Sequence, residues 1–103
     1  MIDPEKQELV DTLRAACALV RRPGNDFTWS TWDDADGAVM ELQAYITTIE
    51  AGWMPPRMQM VVVFAATGPL MEVSLASGWT EEFQALAERF DAAEVKVYER
   101  TTR

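Results

Sequence analysis

Apolar residues at Leu9, Leu13, Ala16, Cys17 and Val20 recur at spacings of three and four, the period that gathers side chains on one face of a helix. They predict a first helix from about Pro4 to Val20, with proline suited to its first turn. "RRPG" ends it: Arg21 and Arg22 fall where the helix dipole favours cations, and Pro23-Gly24 cannot continue the helix. A second stripe, Trp32, Ala35, Val39, Leu42, Ile46, Ile49 and Trp53, predicts a helix from about Trp32 to Ala51. Ser30 or Thr31 is placed to cap it, Asp33, Asp34 and Asp36 lie in its first turns near unpaired backbone N–H groups, and Gly52 stops it.

Beyond "WMPPR" the pattern changes. "MQMVVVFAA" is apolar at nearly every position and "LMEVSLAS" alternates, so the two predict strands of a hairpin joined at Thr67, Gly68 and Pro69, the first strand being central. Helical spacing returns with Phe83, Leu86, Ala87, Phe90 and Ala93 behind a Thr80 cap and Glu81–Glu82. In "EVKVYER" the period drops to two, which predicts a short third strand reached by a right-handed crossover, in sheet order 2-1-3. The expected architecture is α+β, in the order α-α-β-β-α-β, with helices against a small mixed sheet.

At 103 residues and 49% hydrophobic content the chain has the length of one domain, 1–103, and enough apolar side chains for a core. Its net charge of −8 comes without a basic run that could neutralise phosphates, so no direct nucleic-acid contact is expected, and an acidic surface suits a basic protein. No apolar run approaching a bilayer span is apparent, and the charged N-terminal stretch is unlike a signal peptide; a cytoplasmic protein that does not engage membranes is the expectation. Cys17, the single cysteine, has no internal disulfide partner and falls on the apolar face of the first helix, as a small buried hydrophobe would.

Candidate chemistry is sparse. The absence of histidine removes the commonest general base and most catalytic zinc sites, and the acidic pairs sit on solvated helix faces with nothing to separate their pKa values. "DDADG" does not make a calcium loop: with Gly37 at loop position six, Trp32 and Gln43 would stand at positions one and twelve, where carboxylates are needed. "AATGP" has no lysine and no following helix in this reading, so it is not a phosphate loop. No enzyme, metal site or cofactor is expected. The tryptophans offer more, because Trp29 and Trp79 fall in predicted loops beside helix starts and tryptophan is enriched at the centres of binding surfaces. The candidate partner-binding residues are Trp29, Trp79 and Met40 as apolar anchors, with Asp26, Asp33, Asp34, Asp36 and Glu41 as an acidic rim.

"DFTWSTWDD", followed by "FAATGPLMEVSLASGWTEEFQALAERFD", resembles a type of small acidic bacterial protein associated with immunity proteins and inhibitors. The resemblance covers residues 26 to 91, rests on structural motifs and implies no catalytic residue or ligand. Together these features lead to the expectation of a non-enzymatic binding protein, an immunity protein or inhibitor covering a basic toxin or nuclease. The alternatives are a homo-oligomerising module, for example a homodimer paired through the "LMEVSLAS" strand edge or the first helix, and a small-ligand domain with a pocket between helices and sheet.

Overall fold

The first helix forms where its apolar period predicts, with α1 covering Pro4–Val20 and Asp3 accepting the Lys6 N–H at 2.9 Å as its N-cap. The computed structural model describes residues 2–101, and among them every regular element is a helix. The second, α2, covers Ala35–Glu50. It starts three residues later than expected because Asp34, rather than Ser30 or Thr31, caps it, accepting the Gly37 N–H at 2.9 Å. Ser30 instead accepts the Trp32 N–H and donates to the Pro69 carbonyl, which fixes the preceding loop. Trp32 is buried as predicted, but from that loop, whereas Trp53, expected on the buried stripe, lies beyond the helix and is exposed.

The expected α+β architecture is not what forms. The two predicted hairpin strands are helices, α3 (Arg57–Phe64) and α4 (Pro69–Ser77), and the predicted third strand is the end of a 22-residue helix, α5 (Thr80–Thr101). The fold is all-α. In α3 the buried residues are Met60, Val63 and Phe64, a spacing of three and four that alternation cannot produce, while Val62 between them faces outward. Three consecutive valines cost a helix only about 2 kcal/mol against alanine, and burial of Met60, Val63 and Phe64 returns about 1.5–3 kcal/mol each, so tertiary packing outweighs the β-propensity. Pro69 occupies the first turn of α4, and Leu70, Val73 and Ser74 form its buried side, the Ser74 hydroxyl donating to Met71 O at 2.7 Å. In α5 the stripe Phe83, Leu86, Phe90, Ala93 runs on to Val97, whereas Val95, expected on the same face as Val97, is exposed. No glycine or proline interrupts this helix, and at about 1.5 Å per residue its length of about 33 Å spans most of the molecule's 40 Å long dimension.

The helix α1 packs between α2 and α5, and α5 in turn receives α3 and α4. Phe64 of α3 stacks on Phe90 of α5 with ring centroids 4.1 Å apart. Arg57 holds Glu94 through two bonds of 2.7 and 3.1 Å and lies over the Tyr98 ring, whose hydroxyl donates to Pro55 O. Asn25 ties the end of α1 to the start of α5: its amide donates to Leu19 O and Val20 O, and its carbonyl accepts the Trp79 indole N–H at 2.8 Å. By length and composition alone, Arg57–Ser77 is apolar enough to cross a membrane (mean hydropathy 1.6), which corrects the expectation that no segment is. The chain breaks it into α3 and α4, however, and both pack on α5. With no strand among the described residues, pairing of copies through a strand edge has nothing to act on.

Candidate functional site

The α3–α4 pair leaves an open groove against α2. Its floor is Tyr45 of α2, Val63 of α3 and the Gly68–Pro69 corner, all buried. Its walls are Trp29 from the loop before α2 and Met58 and Val62 from α3, which remain 74%, 66% and 52% exposed. The volume is about 870 Å³. Isolated exposed apolar residues are ordinary, whereas here three large ones line a single concavity.

Two carboxylates border the groove, Glu41 of α2 and Glu72 of α4, and its lining contains no cation among the described residues. The reason is visible along the chain. Between Arg22 and Arg57 there is no Lys or Arg but there are six acids (Asp26, Asp33, Asp34, Asp36, Glu41, Glu50), and from Met58 to Glu88 there are again none against four (Glu72, Glu81, Glu82, Glu88). Every described residue lining the groove comes from these two segments. Of the arginines, Arg14, Arg22, Arg57 and Arg89 are paired with Glu50, Glu82, Glu94 and Glu8.

Glu41 is fixed in place. One carboxylate oxygen accepts the Trp32 indole N–H at 3.0 Å and the other accepts the Tyr45 hydroxyl at 2.5 Å. Residues 41 and 45 are one helical turn apart, which brings the pair together, and Trp32 reaches Glu41 from the loop that Ser30 holds. Burial, reinforced by the bond and the negative charge of Glu41, raises the Tyr45 pKa well above its ordinary value, so this phenol stays a donor.

The residues predicted for binding are divided by the structure. Trp29 and Glu41 meet in the groove. Asp26 and Asp33 line a separate shallow depression, where Asp26 accepts the Thr28 N–H and its acidity is increased by its bonds to Thr28. Asp34 is the α2 cap, Asp36 is exposed in its first turn, and Met40 is exposed outside the groove lining. Trp79 is buried, with its N–H taken by Asn25. Sequence reasoning missed Met58, Val62 and Glu72, because reading α3 and α4 as strands placed them in a sheet, and it missed Tyr45 because that residue is not on the apolar stripe read for α2. The 60, 63, 64 and 70, 73, 74 spacings were the available signal. Among the described residues no three His, Cys, Asp or Glu side chains converge as a metal site requires. No known protein family matches the chain, and no curated protein or solved structure shows significant similarity to it.

Proposed function

We propose that this chain is a non-enzymatic protein-binding domain, of the inhibitor or immunity-protein kind, whose groove between α2 and α3–α4 takes an apolar segment of a basic protein. The observation that carries this reading is the exposure of Trp29, Met58 and Val62 in one groove bordered by two acids and, among the described residues, by no cation. Covering the exposed part of Trp29 is worth on the order of 3–4 kcal/mol, taking roughly 200 Å² for a tryptophan side chain and about 25 cal/mol per Å². That is enough for one residue to act as an anchor. The acids around it accelerate encounter with a basic surface and disfavour acidic competitors, a second copy of this chain included.

The test is capture of a basic partner from the source cell's lysate, by the wild type and by Val62→Asp, with mass spectrometric identification. A basic protein held at low salt, released at high salt and lost with Val62→Asp supports the reading. Capture that ignores Val62→Asp, or failure to capture any salt-sensitive basic protein, refutes it. Val62 is half-exposed and outside the core, so this substitution leaves the fold standing.

A further inference from the structure

Resting on the groove reading above, we infer that Glu41 is a specificity-determining residue: it receives a guanidinium or ammonium group from the segment that fills the groove. Glu72 stands on the rim, and its side chain makes none of the hydrogen bonds or ion pairs found among the described residues. Glu41, in contrast, is held from two sides by the neutral donors of Trp32 and Tyr45, in a groove whose floor and walls are apolar. A carboxylate has about four acceptor positions, and these two donors occupy one on each oxygen. The others remain for a ligand. No ion pair to Glu41 occurs among the described residues, so no cation among them offsets its charge.

A purely apolar occupant would strip water from that fixed charge without replacing it, which is unfavourable. An occupant carrying a cation at the same depth supplies a charge-assisted bond to a carboxylate that is already oriented, so little ordering is lost on binding. The groove therefore selects an aliphatic chain ending in a positive group. A lysine or arginine side chain among apolar neighbours has that form, and the carboxylates bordering the groove favour one carried by a basic partner.

Hexylguanidinium and its neutral isostere hexylurea, titrated separately at low salt, test this by NMR on the Trp29 indole and the Ala44 and Val62 amides. The expected result is saturable shifts from both, with the cation bound about 10-fold more tightly. Glu41→Gln should abolish that preference while keeping hexylurea binding, and Glu72→Gln should leave most of it. Nuclear Overhauser contacts from the first methylene of hexylguanidinium to the Tyr45 ring locate the cation without any substitution, should Glu41→Gln fail to fold. Equal affinity for the two probes, a preference that survives Glu41→Gln, or contacts confined to other residues overturns the role of Glu41 and leaves the groove reading intact. No saturable shift from either probe overturns both.

Discussion

Alanine at Gly68 should damage this fold while alanine at Gly37 should improve it, although both replacements add one methyl group. Gly68 precedes α4 with φ of −86°, so no left-handed backbone demands glycine there. The demand is for space. A Cβ on Gly68 would lie 2.0 Å from the carbonyl oxygen of Val62 and 3.1 Å from that of Val63. Even close C–H···O contacts keep carbon and oxygen about 3.3 Å apart, so the α3–α4 corner must open by more than about 1 Å. Both obstacles are backbone atoms, and no rotamer change relieves them. The displacement disturbs buried Val63 and Leu70 and costs about 2–3 kcal/mol, the range of an overpacked core. At about 4–8 °C per kcal/mol for a domain of this size, the melting temperature falls by about 10–20 °C. At Gly37 the added Cβ meets only Asp34 Oδ1, at an ordinary 3.5 Å, and the helix gains about 0.5 kcal/mol in propensity. Urea and thermal unfolding followed by far-UV circular dichroism measure both. A Gly68→Ala protein melting within about 3 °C of wild type would refute the α3–α4 corner as described.

Asn25→Ala removes two bonds to the end of α1 and leaves the buried Trp79 N–H without its acceptor, so urea unfolding should show a loss of about 2–3 kcal/mol; a loss below about 0.5 kcal/mol would contradict the hub role. Burial, with the charge of Glu94 adding to it and Arg57 opposing it, pushes the Tyr98 phenol up to about 12, and Tyr45 is also raised. Because the folded pKa exceeds the unfolded value of about 10, the associated stability is present in full below about pH 10 and is lost as pH rises through about 12. Absorbance at 295 nm should therefore show neither of the two tyrosines ionising around pH 10 in the native protein, and a normal titration of either would refute its placement. Burial raises the Cys17 thiol against the opposing charges of Arg21 and Arg14, so Ellman's reagent should react slowly with the native protein and rapidly in urea. Prompt native labelling would mean that the α1 face is open.

The acidic stretch "NDFTWSTWDDADG" shows how local chemistry and tertiary placement divide the work. Its carboxylates as a helix start were legible, since a cap acts within four residues, though the choice of Asp34 over Ser30 or Thr31 depended on Ser30 finding Pro69 across the molecule. The bounds of α1 and the start of α5 were legible for the same reason: caps, proline and a two-sided pattern are properties of neighbouring residues. Two residues of the groove lining, Trp29 and Glu41, were legible as candidates too. The remainder was not, because "MQMVVVF" is apolar on every side and carries no phase to say which face is inside. Packing against α4 and α5, where Phe90 meets Phe64, selects Met60, Val63 and Phe64 for burial and leaves Met58 and Val62 as groove walls. The same holds for the tryptophans. Both Trp29 and Trp79 read from sequence as loop residues near helix starts, but Trp79 finds Asn25, 54 residues away in sequence, and enters the core, while Trp29 meets a groove and stays in water. Local sequence determined the bounds of α1 and the start of α5; long-range packing decided which helices exist at all and which apolar side chains remain exposed, since burial is settled by what arrives from elsewhere in the chain.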